Sequence, residues 1–247
     1  MEYDKFLFIN NVYALSAKRG MKIGQLEKRC DVSVGYFARL RQGEKNNAPG
    51  ADFLLRIAQL LGVSVDSLLT FDFSASSDAD VDLLHYIEKL TRETLARTLV
   101  WQEDGFGYPD TVPLRKDGTS LHPLFTTDPS DRGESAPYYL SKFHPYRVDL
   151  IPLKTYGVVF PGGKTLYLVL LRNGGTDPRD PEPWQELELV MTGAGMESSV
   201  PLAHTGHNHP APLDNALSGL FRAVEESADR PQLSPEAKAI ISEYLNQ

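Results

Sequence analysis

The stretch Cys30–Lys45, CDVSVGYFARLRQGEK, decides how the first third of this chain is read. It sets Arg39, Arg41 and Lys45 among aromatic and small residues, in a chain whose formal net charge is −8. Asp31 interrupts one apolar-periodic run, and Asp tolerates the left-handed backbone of a sharp turn. Ser33 can cap the next run, because its hydroxyl can accept a backbone N–H of a first helical turn. That run extends through about Arg41, and Gly43 closes it. The pattern predicts a helix, a tight turn and a second short helix that is amphipathic and cationic.

Upstream, Phe8, Val12 and Leu15 recur on one face of a helix that Gly20 ends, and Ile23–Cys30 makes a second piece with Leu26 inward. Downstream, Leu54, Ile57, Ala58 and Leu61 form an apolar face before Gly62. Ser64 then caps a last short helix carrying Leu68 and Leu69. Charge follows this division. Residues 1–70 hold 10 Lys+Arg against 7 Asp+Glu, a net of +3, whereas residues 71–247 hold 15 against 26, a net of −11. A basic head on an acidic body predicts that only the head approaches a polyanion.

The small, polar and acidic stretch at 73–80 reads as a linker. A helix is expected over Val81–Leu99, with Leu84, Ile87, Thr91, Thr94 or Leu95, and Thr98 on one side. Residues 102–137 read as loop with one strand at most. YRVDLIPL, TYGVVF, TLYLVLL and WQELELVM then read as strands. Residues 201–212 read as an irregular His/Pro stretch, and helices are expected near Leu213–Ala228 and Ser234–Asn246.

Two short helices joined by a tight turn, the second cationic, suit the DNA major groove, which is about 12 Å wide and admits one helix. The preceding helix would cross the backbone, and the cations would release counterions from phosphates. The spacing of Leu26, Val32-Ser33, Tyr36, Arg39, Gly43, Ile57-Ala58 and LGVSVDSLL resembles the phage-repressor-like (Xre) helix-turn-helix family over about residues 4–70. That resemblance implies a groove-facing set of Val34, Gly35, Tyr36 and Arg39. Lys22, Lys45, Asn46 and Asn47 fall where the family meets phosphates, and Ser33 lies beside them as a helix cap. Phe37 and Leu40 are expected in the core. Glu27, Asp31 and Arg41 depart from the family pattern, and Glu27 would loosen the helix pair unless it angles outward.

Three other patterns fail on their own chemistry. GVVFPGGKT puts five residues between Gly157 and Gly163-Lys164 where a phosphate-binding loop needs four, and it runs strand to strand, so a hairpin is expected. Self-cleavage at Ala194-Gly195 would need a downstream Lys in a strand-rich segment, but the first is Lys238 in an expected helix. His204, His207 and His209, with Asp214 nearby, offer donors for zinc or nickel. Their Pro/Gly-rich surroundings supply no regular scaffold, so a surface loop is expected, and no metal or cofactor.

The expected fold is an all-α N-terminal helix-turn-helix (lambda-repressor-like) domain, residues 1–72, a linker at 73–80, and a separate α+β C-terminal domain with an antiparallel sheet, residues 81–247. Cys30 is the single cysteine, no run approaches the ~20 apolar residues of a membrane span, and MEYDKFLFIN lacks the basic start of a secretory leader. These features point to a cytoplasmic protein with no membrane partner, and the resemblance above implies a non-enzymatic transcriptional regulator that binds double-stranded DNA as a homodimer. The second domain would dimerise the protein and sense a small-molecule or protein effector. Its aromatics Trp101, Phe106, Tyr108, Tyr138, Tyr139 and Trp184 would line a pocket or pack a core. The alternative is an antitoxin-like protein-binding module that autoregulates through its DNA-binding head.

Overall fold

The computed structural model describes residues 3–43, 49–104, 112, 114–115, 120–126, 137–145, 149–175, 182–193, 199–206, 211–229 and 244. It is a mixed α+β protein with helices and a separate antiparallel sheet region. The chain divides into two compact units, one built on residues 1–92 and one on residues 93–201, each completed by part of the C-terminal segment. Among the described residues no helix is long and apolar enough to cross a membrane.

The first unit begins with α1 (Lys5–Lys18), capped by Asp4, whose Oδ1 accepts the N–H of Phe6 and of Leu7. Then come α2 (Ile23–Arg29), α3 (Tyr36–Arg41), α4 (Ala51–Leu61) and α5 (Val65–Thr70). Phe8, Val12, Leu15, Leu26, Phe37, Leu40, Ile57, Leu61 and Leu68 are all fully buried, so the helical period expected from sequence does build one core. Gly62 ends α4 in left-handed backbone (φ 61°), and the Ser64 hydroxyl accepts the N–H of Ser67 at the start of α5.

Two buried polar groups tie this unit together. Asn11, inside α1, donates from Nδ2 to the carbonyls of Leu68 and Phe71, and its Oδ1 accepts the N–H of Phe73. On α6 (Asp78–Leu95), Glu88 accepts the Ser64 N–H and, at 2.6 Å, the Ser67 hydroxyl. The segment expected as linker therefore opens on a buried residue, since Phe73 is wholly inaccessible with its ring 4.7 Å from Phe71. Its last three residues are the first turn of α6.

The antiparallel sheet region holds a five-stranded sheet of order β1-β4-β5-β6-β7. Its strands are β1 (Gln102–Glu103), β4 (Leu150–Val159), β5 (Thr165–Asn173), β6 (Gln185–Thr192) and β7 (Val200–His204). A separate antiparallel pair joins β2 (Phe125–Thr126) to β3 (Tyr138–Tyr139). The β4–β5 and β5–β6 ladders are antiparallel, with Tyr156 opposite Leu168 and Leu168 opposite Leu189. Residues directly opposite share a face, so Tyr156, Val158, Leu166, Leu168, Leu187 and Leu189 form one side. The C-terminal half of α7 (Ala211–Asp229) meets this side: Phe221 lies 6.1 Å from the Tyr156 ring, and Glu225 pairs with Lys154. The other side carries the cluster of Leu124, Phe125, Tyr139, Leu150, Val169, Leu171 and Val190, with Tyr167 and Trp184 packed against it.

Three expectations change here. YRVDLIPL and TYGVVF contribute to one strand rather than two, because the bulge at Pro152/Lys154 absorbs the irregularity without ending the pairing. Residues 201–204, the start of the stretch 201–212 expected as irregular, belong to the edge strand β7 (Val200–His204). The helix expected over Val81–Leu99 runs Asp78–Leu95, after which Arg97 takes a left-handed backbone (φ 58°). PGGK is the hairpin turn between β4 and β5, with Gly162 and Gly163 at φ 89° and 76°. The helix expected at Ser234–Asn246 falls outside the described residues, apart from the single helical Tyr244, as do Phe106, Tyr108, Ala194, Gly195 and Lys238. Trp101 and Tyr139 are core residues, and the indole N–H of Trp101 donates to Thr94.

Candidate nucleic-acid interface

The turn between α2 and α3 is set by backbone chemistry on both sides. Cys30 ends α2, and Asp31 takes the left-handed conformation (φ 58°) that its type tolerates. The Val32 N–H returns to the Glu27 carbonyl at 3.0 Å. Gly35 stands at the N-cap of α3 with φ 77°, backbone that a side chain with a Cβ rarely adopts. Ser33 is thus not the cap: α3 starts three residues later, at Tyr36.

The capping oxygen comes from Glu27. Its side chain is 2 % exposed; Oε2 accepts the N–H of Gly35 at 2.8 Å and Oε1 that of Phe37 at 3.1 Å. Two of the unpaired donors at the helix start are satisfied by a carboxylate, which also suits the positive end of the helix dipole. The expected loosening at Glu27 is reversed. The residue angles inward and fastens the helix pair, because the donors of α3 are there to receive it.

Outward from this brace lie the residues expected at a polyanion. Val34 is 81 % exposed, and Ser33 and Lys22 are also exposed, Lys22 as N-cap of α2 with its N–H on Gln25 Oε1. Tyr36 is half-buried, its ring packed edge-on to Phe37 and Phe53 at 5.5 and 5.1 Å. Burial raises the pKa of its hydroxyl, which stays a neutral donor at ordinary pH. Arg39 is half-buried and folds back on the turn, donating from Nη1 to the Val34 carbonyl at 3.0 Å and from Nη2 to the Ser33 hydroxyl at 2.5 Å. A Cβ at position 35 would stand 3.3 Å from Arg39 Nη1, so the guanidinium covers the glycine. Lys45, Asn46 and Asn47 lie outside the described residues.

Other cations surround this face. Lys28, Arg29 and Arg41 are exposed, and Arg41 sits over the Tyr13 ring at 5.7 Å. An open cleft of about 460 Å³ is lined by Arg19, Gly20, Met21, Gln25, Lys28 and Arg29. Arg56 donates to the Cys30 carbonyl, which braces the end of α2. Periodicity gave no sign of the roles of Glu27 and Asn11. The only available signal was an acid at an otherwise apolar helical position eight residues before a glycine.

Comparison with known proteins returned no matching protein family, no matching curated protein and no matching solved structure.

Proposed function

We propose that this chain is a cytoplasmic, sequence-specific DNA-binding transcriptional regulator of the phage-repressor-like helix-turn-helix kind, acting as a homodimer. The observation that carries the reading is the α2–turn–α3 unit itself. Glu27 holds α3 at a fixed angle to α2, and Ser33 and Val34 stand exposed on the turn, with the Arg39 fork folded onto them, among the exposed cations Lys22, Lys28, Arg29 and Arg41. A short helix presented in this way fits the major groove, and flanking cations supply sequence-independent affinity.

In this reading Val34 offers its methyls to thymine and Arg39 reads a guanine edge after leaving Ser33, or stiffens the turn that carries Val34. Lys22 meets phosphate. The second unit supplies the dimer contact and the effector response, because paired half-sites one helical turn apart need paired readers.

The test is binding of purified protein to a randomised duplex pool at low ionic strength, followed by sequencing of the retained fraction. Enrichment of a two-fold symmetric site supports the proposal. Protein that ignores duplex DNA under those conditions ends it.

A further inference from the structure

We propose that the first unit holds a binding pocket for a small organic ammonium ion, with Glu88 as its charge partner. The pocket lies among the start of α5, the C-terminal half of α6 and the first half of α7, and every residue lining it belongs to that one unit. Its volume is about 270 Å³, just below the ~300 Å³ at which ligand pockets usually begin. A compact molecule fits it, and a drug-sized one does not.

Glu88 is 7 % exposed and lines this pocket. Its oxygens accept two protein donors, the Ser64 N–H at 3.1 and 3.2 Å and the Ser67 hydroxyl at 2.6 Å. A carboxylate offers about four lone-pair positions, so room for further donors remains. Among the described residues no cation pairs with it. His85, which senses the Glu88 charge, is held toward its neutral form mainly by burial. Arg92, one turn further along α6, lines the pocket but is exposed. A buried charge is costly unless it is paired, and a ligand cation would supply the countercharge.

The rest of the lining selects the remainder of the ligand. Asp66 is a second carboxylate there, so two acids face one guanidinium and the balance favours a cation. Val63 is buried, and Pro212, Ala216 and Gly219 present no polar side-chain atom. Mostly apolar walls with a few placed polar groups are the usual make-up of a small-molecule site. The ammonium group donates to the open positions of Glu88, and an alkyl or aryl body lies against Val63, Pro212 and Ala216. A carboxylate or phosphate ligand would meet Glu88 and Asp66 at like charge. The site does not rest on the DNA-binding reading.

The experiment records ¹H–¹⁵N spectra of the full-length protein during titration with monoamines from butylamine to phenethylamine, each matched by its alcohol and its carboxylate. Saturable shifts are expected with one or more amines at the amides of Ser64, Ser67, Ala216 and Gly219. The matched alcohol should bind about tenfold more weakly or worse, the value of one charge-assisted hydrogen bond, and the carboxylate should not bind. Glu88→Gln should bring amine and alcohol to equal affinity. Ala216→Leu fills the pocket from α7 and leaves both carboxylates in place; it should abolish binding of amine and alcohol alike, and it keeps the test open should the Glu88 variant fail to fold. No saturable shift with any amine, equal affinity for amine and alcohol in the parent, or parental amine binding in Ala216→Leu would each overturn the proposal.

Discussion

Glu27 Oε1, on α2, accepts the backbone N–H of Phe37, on α3, at 3.1 Å, inside the core that both helices share. One side chain therefore sets the position of the second helix relative to the first. Replacing it by Ala leaves the N–H groups of Gly35 and Phe37 without this acceptor, at about 1.5–3 kcal/mol for hydrogen bonds to a charged group. Glu27→Ala should lower the unfolding free energy by that amount and Glu27→Gln by less, read by urea titration of the helical signal. An Ala variant as stable as the parent would remove the brace from the account.

Asn11 provides a second, independent test. Asn11→Ala removes the donor to two buried carbonyls and the acceptor for Phe73. Each stranded group costs about 1–3 kcal/mol, so this substitution should destabilise the first unit more than Glu27→Gln does. Asn11→Asp, which keeps the shape and loses the donor, should recover little of the loss in thermal melts.

Cys30 reports on the same core. The thiol is 3 % exposed, and burial raises its pKa despite the nearby Arg56 and Arg29. The reactive thiolate is thus scarce and shielded. Thiol-reagent labelling of the native protein should be slow, should rise sharply across the unfolding transition, and should be faster in Glu27→Ala. Rapid labelling of native protein, equal to that of the unfolded chain, would contradict the packing.

His85 on α6 should make the first unit acid-sensitive. Burial lowers its pKa, Arg19 and Arg92 act in the same direction, and Glu88 and Asp82 oppose them. Among the described residues, its Nε2 has no hydrogen-bond partner. The folded state therefore prefers neutral His85. Its contribution is fully present above the unfolded value of about 6.5 and is lost as pH falls toward the depressed folded value. Stability of the first unit should drop from about pH 6.5 downward, and His85→Phe should flatten that segment of the profile.

For the proposed DNA contact, Lys22→Ala should weaken all duplexes alike and reduce the log–log salt slope by about 0.9. Arg39→Lys keeps the charge but loses the planar fork that spans Val34 and Ser33. It should change which sites are selected while leaving the slope nearly constant. Identical behaviour of the two variants in fluorescence anisotropy would abolish the division between reading and anchoring.

The helical half was legible because its signals are local. Leu54, Ile57, Ala58 and Leu61 fall at helical spacing, and Gly62 and Ser64 punctuate the chain where the backbone turns. What escaped depends on distant partners. Glu27 reads as a surface acid until the donors of α3 are placed over it. β7 is short, carries Pro201, and is defined by its neighbour β6 rather than by its own pattern. ELELVM alternates as a half-solvated strand would, yet Glu186 and Glu188 point into a covered face, where His144, Ser141 and Tyr139 meet them. Their depth is a property of the β2–β3 layer, whose two-residue strands leave almost no periodic trace.

The span from Asn11 to Phe73 has a practical meaning for dissecting the chain. A head severed after Thr70 would leave the amide of Asn11 with one of its three partners and remove the packed Phe71–Phe73 ring pair. The smallest head able to stand alone must therefore keep Phe73, and it should extend through α6 to retain the Glu88 clasp on Ser64 and Ser67.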